Sequence, residues 1–382
     1  MIIILVDPEM ALQTGPRLWP KISTTAAGGN SGSYPLHPAV IELGHQYACG
    51  EIRGGNARCR AMLRVFFQVL GDFSPPQNAS LSDLRHQIDQ WILKPSFQYW
   101  TESCRPHSVT MGNAFTFLKT AVASLERDMS RDAMVEMIQD TIQAYIQERI
   151  DYAQKAIAQQ PALQLPAKMH SGTSPQRQVF LTYGNSEAIA SIFTRMAVVS
   201  DVSQFRVIVV DSRPLLEGKK LLRTLRAANI DCSYILLNAL SYIMRDVTKV
   251  YLGASALMSD GGILGRVGTA CVALSAHMHH IPVLVCCESY KISTRVQLES
   301  ITGNELGDPA QVAMLGNDAY DGDEEEKKDS VLKDCMEMDN LRLLNLLYDL
   351  TPSEFVSGIV TELGIIPPTS VAVLLREMNP QN

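Results

Sequence analysis

Apolar residues recur at helical spacing from His37 onward. Val40, Leu43 and Tyr47 form one stripe, and Met62, Phe66, Val69 and Leu70 form a second that ends at Gly71. Leu81, Leu84, Ile88 and Trp91 repeat the spacing, and Pro95 is expected to stop that helix. Two longer amphipathic segments follow: Met111 to Leu125, and Ala133 to Ala158 with Met134, Ile138, Ile142, Tyr145 and Ala153 on one side. Residues 35–165 therefore read as an all-helical domain.

Beyond the Pro- and Gly-containing stretch PALQLPAKMHSGTSP the period changes. Strand-like runs at Val179–Thr182, Val207–Val210 and Tyr234–Leu237 alternate with helical runs at Ser186–Val198 and Leu215–Ala228. A further strand at Val250–Leu252 leads through a glycine-dense turn into a helix from about Arg266, with Val267, Ala270, Cys271, Leu274 and Met278 on its apolar face. The run Ile281 to Cys287 then closes a βαβ unit. Alternation of this kind predicts an α/β Rossmann-like, doubly wound parallel-sheet domain over 171–382, with its strand-end loops gathered at one edge. Those loops are Tyr183-Gly184-Asn185, Asp211-Ser212-Arg213-Pro214, Gly253-Ala254-Ser255-Ala256 and the glycine stretch. Near the end, Pro352 to Leu363 reads as a helix with Thr351 as its N-cap and Gly364 as its stop. Val371 to Leu375 reads as a strand or a short helix.

Composition narrows the class. In 382 residues, 46% apolar and 19% charged, there is room for two cores. The formal charge of −7 excludes general binding to nucleic acid or anionic membrane, because no basic stripe exists to release counterions. No apolar run reaches the length of a membrane span, and Met1 to Val6 lacks the features of a signal peptide. The eight cysteines are irregularly spaced without a CxxC, and Cys271, Cys286 and Cys287 lie on apolar runs. They read as reduced, buried thiols of a cytosolic protein, with no metal site. Residues 1–34, with Pro16, Pro20 and AAGGNSGS, read as a flexible leader, and the acidic stretch within 308–340 as a solvated surface insertion.

The candidate chemistry lies at the strand ends. Gly261, Gly262, Gly265 and Gly268, with Arg266 and Thr269, fit an anion cradle at a helix N-terminus; they equally fit a tight turn that needs glycine.

Three phrases carry a resemblance: VDSRPLLEGKKLLRTL (Val210 to Leu225), GRVGTACVALSAHMHHIPVLVC (Gly265 to Cys286) and NLLYDLTPSEFVSGIVTELGIIPPTSV (Asn345 to Val371). They are similar to the family uniting methylthioribose-phosphate isomerase, ribose-bisphosphate isomerase and the regulatory subunits of eukaryotic initiation factor 2B. HPAVIELGHQYACGEIRGGNARCRAML, FLTYGNSE, CCESYKISTRVQ and NELGDPAQ resemble its delta branch most. The isomerases of this family are implied to move protons with a cysteine of a His-Cys-Asn phrase and an aspartate of a Gly-Ala-Asp-Arg phrase. Here Gly184 and Ser255 stand at those positions, so isomerisation is not expected.

The resemblance implies a vestigial anion pocket from Arg53, Arg213, Gly262, Arg266 and Thr269, and no cofactor. It further implies a non-catalytic scaffold and regulatory role in a guanine-nucleotide exchange factor, with the beta, alpha, gamma and epsilon subunits as partners and the alpha subunit of initiation factor two as the protein sensed. For a phosphate-reading surface the helical domain offers Arg53, Arg58, Arg60, Arg64, Arg85, Arg127, Arg131 and Arg149. A sugar-phosphate isomerase and a phosphometabolite sensor remain the alternative readings.

Overall fold

The computed structural model describes residues 36–74, 84–127, 129–160, 177–297, 303–313 and 340–378, together with 163, 165, 300, 301 and 338. The leader, most of the 161–175 stretch and most of the acidic insertion lie outside the described residues.

The first part is helical, as its periodicity predicts: Pro38–Ala48, Gly55–Asp72, Val109–Ser124 and Arg131–Tyr145, the last continuing through a wide π turn, Ile146–Tyr152, to Ala158. Its core is built on Trp100, which is fully buried, meets the edge of Phe66 with ring centroids 5.2 Å apart and donates Nε1–H to the Val40 carbonyl at 2.8 Å. That bond gives the indole its partner inside an apolar site.

Pro95 does not end its helix. The helical path runs from Leu84 to Cys104 because π segments, Ile88–Leu93 and Tyr99–Cys104, flank the short α stretch Lys94–Gln98. The widened turns shift the hydrogen-bond ladder around the imide, which has no N–H to contribute.

The second part holds two sheets. The strands in chain order are β1 Gln178–Tyr183, β2 Phe205–Asp211, β3 Cys232–Leu236, β4 Lys249–Gly253, β5 Ala256–Met258, β6 Ile263–Arg266, β7 Val283–Cys286, β8 Ile292–Ser293, β9 Tyr348–Thr351, β10 Gly358–Thr361 and β11 Gly364–Ile366. Seven of them form one sheet in the order β11-β10-β7-β4-β1-β2-β3, parallel except for the β10–β11 pair. Buried side chains cover both faces of that sheet, as the near-continuous apolar strands require. The four-stranded sheet has the order β8-β5-β6-β9.

Three sequence readings change here. Pro352 to Leu363 is not a helix: a short 3-10 turn, Ser353–Phe355, leads into β10, whose Ile359 and Val360 are fully buried beside β7. Thr351, read as a cap, is the buried end of β9. Gly364 adopts φ +132°, and β11 folds back on β10 there. β-branched residues flanked by a partner strand gain more from sheet pairing than from a lone helical turn. Val371–Met378 resolves as a helix.

The glycine-dense turn contains a hairpin, β5–β6, that belongs to the second sheet, so the helix after it begins at Thr269 rather than Arg266. Its buried side carries Val272, Ala273 and Ala276, while Val267, Leu274 and Met278 are exposed, and so is Cys271. The stripe read as core therefore faces outward. Cys286 and Cys287 are buried.

A buried polar network binds the helical part to the sheets. Glu288 is fully buried and its Oε2 lies 2.7 Å from the Lys291 ammonium, which is 6% exposed. Asn56 donates from Nδ2 to Glu288 Oε1 at 2.6 Å, and the Tyr290 hydroxyl donates to Asn56 Oδ1 at 2.7 Å. Asn113 adds bonds to the Tyr290 and Ile292 carbonyls. Burial alone would raise the Glu288 pKa, but Lys291 and the surrounding donors outweigh it and leave it below the ordinary value. Burial likewise works against the Lys291 charge, yet Glu288 raises its pKa above the ordinary one.

Glu288→Ala should cost about 3–5 kcal/mol, because it strands a buried ammonium. A depressed carboxylate contributes stability above its unfolded pKa and loses it as pH falls through the folded value. A raised ammonium contributes below its unfolded pKa and loses that as pH rises through the folded one. The wild-type advantage should thus be flat between about pH 5 and 10, as urea unfolding of both proteins across that range will show. An advantage that changes steadily with pH inside this window would contradict the assignment.

Candidate functional site

The carboxyl ends of the parallel strands open into a cavity of about 580 Å³ between the helical part and the sheets. Its lining comes from the segment before helix Gly55–Asp72, including Arg53, and from the loops after β1, β2 and β4. Lys219, Lys220 and Arg223 of helix Gly218–Ala227, with Arg266, Thr269, Lys291 and Tyr348, complete it. This is where an α/β sheet gathers ligands.

Its two buried cations, Arg266 and Lys291, are spent. Arg266 makes a two-pronged pair with Glu217, Nε to Oε2 at 2.9 Å and Nη2 to Oε1 at 2.8 Å, and its guanidinium lies 5.0 Å from the Tyr348 ring centroid. Burial opposes its charge, but Tyr348 and Glu217 raise its pKa, so it stays charged. Its Nη1 has no hydrogen-bond partner. Lys291 is held by Glu288. Thr269 Oγ1 donates to the Arg266 carbonyl at 2.5 Å.

The presumptive anion cradle at the N-terminus of helix Thr269–Met278 is occupied from within the chain. Asp349, on β9, places Oδ2 2.7 Å from the Gly268 amide and 3.0 Å from the Ala270 amide. A carboxylate there satisfies the orphan donors and the helix dipole that would otherwise attract a ligand. Burial raises the Asp349 pKa against the pull of these amides.

Of the sequence-derived pocket residues, Arg53, Arg266 and Thr269 share the cavity. Arg213 lines a small neighbouring cavity of about 30 Å³, which Arg266 also borders, and Gly262 sits in the β5–β6 turn and lines neither. At the two positions implied to move protons there is no thiol and no carboxylate. Gly184 has φ +62° with its amide on the Val210 carbonyl at 2.8 Å, and the Ser255 amide is bonded to the Leu264 carbonyl at 2.8 Å. The Tyr183 hydroxyl is tied to Ser212 Oγ at 2.6 Å and to the Val267 carbonyl, and burial pushes its pKa up to about 12, so it offers no base near neutral pH. Asp349, Glu217, Glu288 and Lys291 escaped the sequence reading; only the i,i+3 acid–base spacing of Glu288 and Lys291 signalled a pair.

The arginines of the helical part divide sharply. Arg58 is buried, donating to the Pro106 carbonyl at 2.6 Å and lying over Tyr47. Arg60 bridges Asp151 and Glu187 at 3.1 and 2.8 Å. Arg85 caps the Ala123 and Leu125 carbonyls, and Arg131 binds the Phe73 and Gly71 carbonyls. These four hold the fold. Arg53, Arg64, Arg127 and Arg149 are exposed. Arg64 borders an open groove of about 380 Å³ with Phe67, Ile142, Ile146, Gln147 and Asp151.

Two glycines of the site separate steric from conformational constraint. Gly268 has φ +106°, and a Cβ on it would lie 2.4 Å from the Tyr183 hydroxyl; Gly184 has open space around its Cβ direction. Gly268→Ala should cost about 2–4 kcal/mol and Gly184→Ala only about 1 kcal/mol, measured by urea denaturation. Equal costs would show that the contact with Tyr183 yields freely.

Comparison with known proteins places this geometry. The chain matches the initiation factor 2 subunit family over residues 51–368. It is 38% identical over 345 residues to the translation initiation factor eIF2B subunit delta of Dictyostelium discoideum, covering 90% of this chain and 52% of that protein, so it spans about half the relative's length. The ribose 1,5-bisphosphate isomerase of Pyrococcus furiosus is 26% identical, with 88% of this chain and 93% of that protein covered. Among solved structures, a chain of the tetrameric eIF2B-beta2-delta2 complex of C. thermophilum superposes with a TM-score of 0.68 at 27% identity, covering 86% of this chain and 92% of the other. The helical region, the mostly parallel sheet and the match across most of the length agree: the chain belongs to the initiation factor 2 subunit family.

Proposed function

We propose that this chain is a non-catalytic regulatory and scaffold subunit of an eIF2B-type guanine-nucleotide exchange factor, acting in translation initiation in the cytosol. The observation that carries the reading is the pairing of a retained strand-end cavity with no proton-transfer groups at Gly184 and Ser255, in a chain similar to delta subunits over most of its length. Without a thiol at position 184 or a carboxylate at position 255 the proton transfers of the isomerases have no carrier there, and the buried cations Arg266 and Lys291 are neutralised by Glu217 and Glu288.

The outward face of helix Thr269–Met278 supports a scaffold role. Met278 is 70% exposed, Leu274 44% and Val267 38%, and Tyr242, in the neighbouring short helix, is 87% exposed. Apolar side chains grouped in this way mark partner surfaces. The solved beta2-delta2 assembly makes a beta-type subunit the first partner to test, with alpha, gamma and epsilon subunits completing the proposed complex. Co-expressed with a beta-type subunit, the chain should co-purify with it. Leu274→Glu combined with Met278→Glu should reduce recovery at least tenfold, since about 2–4 kcal/mol accompanies loss of two buried anchors and insertion of unpaired charge. Undiminished recovery would remove this face from the interface.

The helical part is proposed to distinguish the phosphorylated from the unphosphorylated alpha subunit of initiation factor two. Only its exposed arginines suit that task, because a phosphate needs a guanidinium free to pair. Within the assembled complex, alanine at Arg53, Arg64, Arg127 or Arg149 should narrow the ratio of the two affinities at one site or more. Alanine at Arg58 or Arg60 should act through stability instead. Titration of both partner forms checks this; a ratio unchanged in all four exposed variants would exclude the helical surface as the reader.

A further inference from the structure

Helix Gly218–Ala227, GKKLLRTLRA, buries Leu221 and Leu225 and exposes Lys219, Lys220, Arg223 and Arg226. The arrangement is locally unfavourable in three ways. Two lysines occupy the first turn, which holds no acid, where the helix dipole disfavours cations. Lys219 and Arg223 are four residues apart, and Lys220, Arg223 and Arg226 follow at steps of three, so like charges face one another along the helix. Three of the nearby acids are committed elsewhere, Glu217 to Arg266, Glu187 to Arg60 and Asp231 to Arg177, and exposed Glu51 of the same cavity lining pairs with none of the four cations. None of the four cations has an ion pair among the described residues. In a chain of net charge −7, a helix that gathers unpaired cations on one face violates local preference without an internal gain, which is the signature of a surface kept for binding.

We propose that this face docks an acidic segment of another protein. Lys219, Lys220 and Arg223 stand on the cavity rim, and Arg226 continues the row outside it. The row spans about 10 Å along the helix axis, at roughly 1.5 Å per residue. A single phosphate cannot engage that length, whereas carboxylates at alternate positions of an extended acidic chain, about 7 Å apart on one face, can. The same features disfavour nucleic acid. The helix carries no aromatic side chain for base stacking.

The test is fluorescence anisotropy of labelled decaglutamate with the full chain. Saturable binding is expected, weakening as salt rises. Lys219→Glu with Arg223→Glu, and separately Arg223→Glu with Arg226→Glu, should each weaken it at least tenfold, whereas Lys119→Glu should leave it unchanged. Because the charge reversals relieve like-charge repulsion, the thermal midpoint of these variants should hold or rise, which separates lost binding from lost folding. Three results overturn the proposal: affinity unaltered by both double variants, an oligothymidylate bound as tightly as decaglutamate, or binding that appears only after Asp323, Glu324, Glu325 and Glu326 are replaced by serine. The last outcome would mean that the chain's own acidic run already covers the helix.

Discussion

The buried pair of Glu288 and Lys291 is the constraint on which the arrangement of the two parts depends. Charges without water must be matched on every side, and here the matching groups come from both parts: Asn56 from the helices, Tyr290 and Lys291 from the turn after β7. The helical part cannot slide over the sheets without leaving one of these groups unpaired. The cavity above the network inherits that rigidity, since Arg53 and Asn56 form one wall and Gly253 to Ser255, with Lys291, form the opposite one.

Charge in and around the cavity is distributed unevenly between the interior and the rim. Arg266 is neutralised by Glu217, Lys291 by Glu288, and the amides of helix Thr269–Met278 by Asp349. A strand-end site of this kind attracts anions only while such groups are free, so the internal carboxylates quiet it. What stays unneutralised lies on the rim and outer surface, on Lys219, Lys220, Arg223 and Arg226. Leu274 and Met278 are exposed outside the cavity. The unpaired charges and these apolar side chains therefore lie on the surface, while the buried charges of the cavity are matched internally.

The periodicity of the sequence carried much of the architecture. Stripes such as Val40, Leu43 and Tyr47 mark helices whatever surrounds them, because a 3.6-residue period has one solution. The alternation from Val179 to Leu237 likewise reads as a parallel sheet. Short apolar runs were different. Gly358 to Thr361 and Ala256 to Met258 are too short for a period to decide, and their strands exist because β7, far back in the chain, and the hairpin partner β6 supply hydrogen-bond partners.

Orientation and pairing also escaped the one-dimensional pattern. The stripe Val267, Leu274 and Met278 is apolar whichever way the helix turns, and only the packing of Val272, Ala273 and Ala276 against the sheet set it outward. Arg58 and Arg64 look alike in sequence, yet one is buried beneath Tyr47 and the other reaches solvent. The cradle at Gly268 was legible as a place for an anion, but its occupant, Asp349, lies eighty-one positions away on β9. The sequence determined element types wherever a local period was long enough, and it determined which reactive groups were absent. The tertiary structure alone decided which face is covered, which charge is spent and which cavity is shared, because those depend on contacts between residues far apart along the chain.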